Sequence, residues 1–157
     1  RETKISLASE DGKICVSVDG QDVTDEIRTP AVTALVSRVA QLAPVRKKMV
    51  LLQRKMAESG QVVMDGRDIA SHVLPNATVK VFLTASIEER AKRRWQEIKD
   101  KGYTHGIEEL KAEIAARDKA DTERKVSPLV RVPEAVLIDT TEMTIEETVA
   151  AVLKLCR

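Results

Sequence analysis

The sequence predicts an α/β fold, a parallel β-sheet flanked by helices, and three observations carry that expectation. Apolar runs at residues 61–64, 79–83 and 135–138 are continuous rather than alternating, the pattern of strands buried on both faces. Two of them are followed by helix-capping pairs, Ser86 with Glu89 and Thr144 with Glu147. No hairpin turn joins one run to the next, which leaves crossover connections and parallel pairing.

The elements follow in order. Residues 4–7 and 13–18 alternate polar and apolar around Glu10-Asp11-Gly12, predicting a hairpin with one solvated face. Gly20 and Asp22 then turn the chain toward Ile27. Thr29-Pro30 predicts a helix with Thr29 as N-cap and Pro30 in the first helical position. Val32, Leu35, Val36 and Val39 recur there at helical spacing. Pro44 is expected to interrupt, with a second helix over about 45–57 that stops near Gly60. A long charged helix runs from the Ser86 cap to about Lys101, residues 102–106 form a loop, and a further helix runs from about Ile107 to Ala120 or beyond. Ser127-Pro128 breaks it, and a last helix ends at Cys156. Ligands of parallel sheets sit outside the carboxyl ends of the strands. Residues 65–68, 84–86 and 139–141 are therefore expected there.

Composition narrows the function. The 157 residues carry 26 Lys and Arg against 25 Asp and Glu, a net charge of +1. Such a chain has no broad field for duplex nucleic acid, so any anion site must come from clustered arginines. Phe82, Trp95 and Tyr103 are too few aromatics to stack successive bases. No apolar run reaches membrane-spanning length and no signal peptide is visible. Cys15 and Cys156 form no CxxC pair and read as reduced, buried residues of a cytoplasmic protein. His72 and His105 lack further ligands at metal spacing. The first residue is Arg1, and the segment to Ser9 already reads as strand, so the sequence is expected to start inside a longer protein.

Three constellations could carry chemistry. Asp65-Gly66-Arg67-Asp68 leaves an apolar run at its carboxyl end; Gly66 allows a close turn, and Arg67 offers a planar fork to phosphate. The same residues could form a structural ion-pair cluster. Arg117, Asp121 and Arg124 share one helix face, an arrangement that brackets a phosphate and a sugar or simply laces a surface helix. Arg90, Arg93 and Arg94 stand beside a glycine-bordered loop, either as arginines that follow a polyanion or as a solvated basic face. Ser37 and Arg46 lie on the two early helices, and Arg46 opposes the helix dipole there. No GxxxxGK[ST] segment occurs, so no loop in these residues cradles a triphosphate.

These residues resemble bacterial cytidylate kinase, a P-loop nucleoside monophosphate kinase. The likeness runs the whole length in order: Ile27-Arg28-Thr29, Ser37 and Arg46; Asp65-Gly66-Arg67-Asp68-Ile69; residues 79–90; Arg117-Asp118, Asp121, Arg124 and Val126-Ser127-Pro128-Leu129; and Ile138-Asp139-Thr140-Thr141. One departure is Ala70-Ser71-His72-Val73, where the family has Gly-Thr-Val-Val. The resemblance implies a P-loop-kinase-like parallel sheet flanked by helices. A monophosphate-binding lobe would occupy residues 1–60 and the rest of the core 61–157, with a lid at about 93–113. It also implies transfer of the ATP γ-phosphoryl group, with Mg²⁺, to CMP or dCMP by a monomer.

By matching position, Ser37 and Asp121 would contact the pentose or base. Arg46, Asp68 and Arg124 would read cytosine. Arg67 and Arg117 would hold phosphate, joined by lid arginines such as Arg93. Asp65 resembles the acid that orients hydrated Mg²⁺, with no direct metal ligand from the chain. A carboxylate at 68 can accept from the cytosine N4 amine, whereas uracil O4 would face it lone pair to lone pair. Without the family's first strand and P-loop lysine, these residues alone are expected to be inactive. The alternatives are a kinase for another small acceptor such as UMP, and a non-catalytic nucleotide-binding module.

Overall fold

The structure is a computed structural model that describes residues 3–10, 13–100, 102 and 104–156. The chain divides into two compact units, Arg1–Leu42 and Ala43–Arg157. In the first, β1 (Ile5–Glu10) pairs antiparallel with β2 (Lys13–Val18), from Ile5 opposite Val18 to Glu10 opposite Lys13. The predicted hairpin therefore forms with a longer first strand, although Asp11 and Gly12 of its turn lie outside the described residues. Asp19 at φ 52° and Gly20 at φ 88° turn β2 into a short β3 (Gln21–Asp22). Positive φ at both positions is the geometry of the tight turns that join twisted strands. A single 3₁₀ turn, Glu26–Arg28, leads to α1 (Pro30–Ala40), where the Thr29 hydroxyl accepts from the Val32 amide as expected of an N-cap.

The second unit opens with α2 (Ala43–Ala57). The expected interruption falls at 41–42, and the second helix starts two residues earlier than expected, so that it includes Pro44. Pro44 lies in the first turn, where a missing amide hydrogen costs no helical bond. Residues 61–64 do not form the expected strand. A strand exists only through a ladder partner, none pairs with this segment among the described residues, and Val63 is 100% exposed. A π-helical turn, Ile69–Val73, follows.

β4 (Val81–Thr84) and β5 (Val136–Asp139) pair in parallel, Val81 opposite Val136 through Thr84 opposite Asp139. The unit is thus mixed α/β with a parallel sheet. Burial on both strand faces, expected from the continuous apolar runs, is not observed: Leu83, Val136 and Leu137 are about half exposed. α3 (Ile87–Asp100) and α4 (Ile107–Glu123) pack together through Ala91, Ile98 and Leu110, with Trp95 and Ile114 at the margin. The Lys99 ammonium lies 4.6 Å from the Trp95 ring centre, a cation–π contact. The connection between these helices contains residues 101 and 103 of the predicted lid, which lie outside the described residues.

α5 (Ile145–Leu153) begins with the predicted reciprocal cap, Glu147 amide to Thr144 hydroxyl at 3.1 Å and Thr144 amide to Glu147 carboxylate at 2.8 Å. It ends in a 3₁₀ turn, Lys154–Cys156. Among the described residues neither cysteine forms a disulfide, but Cys156 is exposed and Cys15 only half-buried, so the expected burial fails. No residue of β2 is fully buried, and the final 3₁₀ turn leaves Cys156 in water. Among the described residues no helix is long and apolar enough to cross a membrane.

Candidate functional site

Two carboxylates organise the site in the second unit. Asp121 stands on α4, three residues before Arg124 and four after Arg117, so all three side chains emerge on one face. Its carboxylate accepts from Arg67 Nε at 3.0 Å and from Arg124 Nη1 at 3.3 Å, with Arg117 Nε at 3.9 Å. Arg67 comes from 54 residues earlier, just ahead of the π-helical turn. Asp68, its neighbour, points to α2 and forms an ion pair with Arg46. Asp68 and Asp121 are 7% and 5% exposed, among the few buried charged groups described.

The arginines divide by burial. The Arg124 side chain is 5% exposed and those of Arg67 and Arg117 are each 44% exposed. Arg124 is fixed further by Nε, which donates to the Ser127 carbonyl at 2.5 Å. Ser127 presents that carbonyl from a left-handed backbone, φ 49°, an unusual conformation for a residue with a side chain. The Leu129 amide donates to the Asp121 carbonyl at 2.8 Å and closes this loop against the helix end. Arg124 Nη2 is buried and has no partner among the described residues. Burial pushes the Arg124 guanidinium below its ordinary pKa and the Arg46 charge adds to that. Asp121 and Asp68 oppose it, and Arg67 pushes it down further. An arginine nonetheless stays charged, so the cluster concentrates positive charge that is steadied by two acids.

Of the residues singled out from sequence, Arg46, Arg67, Asp68, Arg117, Asp121 and Arg124 are brought together. Ser37 lies on α1 in the first unit, and its side chain is outside what is described. Arg93 is not part of the cluster. Its guanidinium donates to Glu89 at 3.0 Å and to the Thr140 carbonyl at 2.6 Å, at the end of β5. Arg90 bridges α3 to α4 through Asp118 at 2.7 Å and Arg94 pairs with Glu97. Asp65 is exposed, and among the described residues no arginine engages it. Gly66, at φ 158°, brings the backbone against Ile69, whose Cγ1 would lie 3.0 Å from an added Cβ.

At the sheet, the Ser86 amide donates to the Thr141 hydroxyl at 2.9 Å, which donates to Asp139 at 2.6 Å. The ends of β4 and β5 therefore meet, as expected. Asp139 is held below its usual carboxylate pKa by the Thr141 hydroxyl and then by the Thr141 amide. Among the described residues no three His, Cys, Asp or Glu side chains group as a metal site. Sequence reasoning gave no role to Arg54, whose guanidinium donates to the His72 carbonyl at 2.6 Å and the Val73 carbonyl at 3.0 Å. Its spacing of eight residues from Arg46 on one helix was the only signal.

Comparisons with known proteins agree in direction. A family model described as cytidylate kinase matches residues 1–157. A cytidylate kinase of Geobacillus kaustophilus (strain HTA426) is 52% identical over 155 residues, 99% of this chain and 69% of the relative. One from Bacillus cereus (strain ATCC 10987 / NRS 248) is 49% identical over 155 residues, again 99% and 69%. A third, from Enterococcus faecalis (strain ATCC 700802 / V583), is 56% identical over 137 residues, 87% of this chain and 61% of the relative. A match over the full span, at an identity near one half and across the stretches that hold the arginine cluster, means that the chain belongs to the cytidylate kinase family.

Proposed function

We propose that this protein is a nucleoside monophosphate kinase that transfers the γ-phosphoryl group of ATP to CMP or dCMP, giving CDP or dCDP. One observation carries the reading. Guanidinium groups from 46, 67, 117 and 124 surround two buried carboxylates, and the most buried of them has a nitrogen without a partner among the described residues. A buried donor with no acceptor costs free energy, which an acceptor on the bound nucleotide would recover.

The half-exposed heads of Arg67 and Arg117 share Asp121 and can turn to a phosphate, forming charge-assisted bonds of about 1.5–3 kcal/mol each. Arg124 and Asp68 are held rigidly enough to read a base. The Asp68 carboxylate accepts from an exocyclic amine and repels a carbonyl, which favours cytosine over uracil. Ser37 and Asp121 are assigned to the pentose or base. Catalysis is positioning and charge neutralisation. Arg93 joins the transferring group only after leaving Thr140, a movement we assign to closure of a lid at about 93–113. In this reading residues 1–60 form the acceptor lobe and 61–157 the core.

Asp65 would orient the hydrated magnesium ion that accompanies ATP, which would supply charge neutralisation at the phosphates. The residues present fit an indirect role for the chain. Asp65 is an exposed carboxylate and, among the described residues, part of no group of three acidic, His or Cys side chains, which suits orientation of a hydrated ion. The enzyme is read as cytoplasmic and monomeric, acting on small molecules.

Calorimetric titration with CMP, dCMP, cytidine and UMP tests the reading. CMP or dCMP should bind more tightly than UMP. Arg67→Ala should weaken CMP while leaving cytidine unchanged, because only CMP carries the phosphate. Equal affinity for CMP and UMP, or an equal loss for CMP and cytidine in the variant, would overturn it.

A further inference from the structure

Arg54 stands apart from the charged cluster, yet it holds the backbone that carries part of it. The π-helical turn is one loop of five residues, in which the Asp68 carbonyl accepts from the amides of His72 at 2.8 Å and Val73 at 3.2 Å. Helix ends leave carbonyls without intrahelical partners. Here those of His72 and Val73 are taken by Arg54 Nη2 and Nε, at 2.6 and 3.0 Å. The planar guanidinium suits two neighbouring acceptors, and a lysine would present a point charge instead. Val73 is 1% exposed, so the base of the turn is also fixed by burial.

Arg46, on the same helix, takes the Asp68 side chain at the other end of the turn. Eight residues of helix separate the two arginines by about 12 Å along the axis. α2 therefore grips the turn at both ends, through a side chain at its start and two carbonyls at its finish. The Asp68 side chain makes no capping bond to its own turn. Its direction is set by Arg46 and by the backbone that Arg54 anchors.

We propose that Arg54 is a positioning residue for base selection: by clamping the carbonyls of His72 and Val73 it fixes the aim of the Asp68 carboxylate. The inference rests on the reading of Asp68 as the group that distinguishes cytosine from uracil. It assigns part of that selectivity to a residue that does not touch the nucleotide. A selective carboxylate works only if it cannot turn away from a mismatched carbonyl, and the clamp removes that freedom.

The test measures CMP and UMP affinity by calorimetry for the wild-type protein, Arg54→Ala and Arg54→Lys. Hydrogen exchange at the amides of 72–74 is followed in parallel. The expected result is a fall in the CMP-to-UMP preference by about tenfold, 1.4 kcal/mol, in the alanine variant. The lysine variant should recover only part of it, and exchange should quicken at 72–74 in both. A residue that merely stabilised the fold would lower melting temperature with the preference unchanged, and that result overturns the proposal. If the alanine variant does not fold, the lysine variant, which keeps the charge and stem, decides by the same ratio. A wild-type protein without preference for CMP overturns the reading of Asp68 and the proposal with it. A wild-type preference that both variants retain overturns the proposal alone.

Discussion

Replacing Asp121 with Asn keeps the shape of the α4 node and removes the charge that three guanidinium groups share. The cost can be worked from burial. Arg67 and Arg117 are 44% exposed, so their pairs with Asp121 are screened by water and contribute about 0–1 kcal/mol each. Arg124 and Asp121 are 5% and 7% exposed at the side chain. Removing one partner of such a pair leaves an uncompensated buried charge and costs about 3–5 kcal/mol. The buried pair therefore dominates, and Asp121→Asn should destabilise the protein by roughly that amount. In a chain of this size that lowers the melting temperature by about 6–20 °C, taking 2–4 °C for each kcal/mol. Removing the stranded charge as well should restore much of the loss, so Asp121→Asn with Arg124→Met should cost less than the sum of the two single changes by about 2 kcal/mol or more. Urea denaturation of the four proteins closes the cycle. Additive costs, or a loss below about 1 kcal/mol for Asp121→Asn, would refute the argument that buried charge, and not the exposed arginines, sets the energetics of the site.

Three further outcomes are expected. Asp68→Asn should erase most of the CMP-over-UMP preference, since an amide can turn either a donor or an acceptor to the base; competition binding reads this directly, and an intact preference would remove Asp68 from base reading. Ala91 is 0% exposed between α3 and α4, so Ala91→Leu should overpack that contact and cost about 1–3 kcal/mol by urea denaturation; a neutral change would mean the helices are not close-packed there. Asp139 titrates low because the Thr141 hydroxyl and amide donate to it. Its folded pKa lies below its unfolded value, so the associated stability is present above the ordinary carboxylate range and lost as pH falls through the folded value. Thr141→Val should move the Asp139 titration back up in a carboxyl-detected NMR experiment, and an unmoved titration would exclude the hydroxyl as its main cause.

Much of the architecture was legible because it is local. The caps at Thr29, Ser86 and Thr144 are pairs three residues apart, and each bond forms where the spacing places it. The row of Arg117, Asp121 and Arg124 follows from helical periodicity alone. The break before the second helix was legible from Pro44, and only the start differed by two residues, because proline suits a first turn as well as the position just before a helix.

The sequence by itself determined most element types, though not the missing strand at 61–64 or the turn at Ile69–Val73, together with the parallel α/β class, the family and six of the charged residues that meet. Only the tertiary structure decided which charge faces which. Arg67 chooses Asp121 over its neighbour Asp68, Arg46 takes Asp68, and Arg93 is drawn to the end of β5. The physical reason is that local structure is written in short-range spacing, whereas a buried ion pair depends on which backbone closes around it. The acceptors of Arg54 carry the point furthest: they are carbonyls 18 and 19 residues away, and every residue type has one. No side-chain pattern announces such a contact, and it exists only once the turn at Ile69–Val73 is folded against α2.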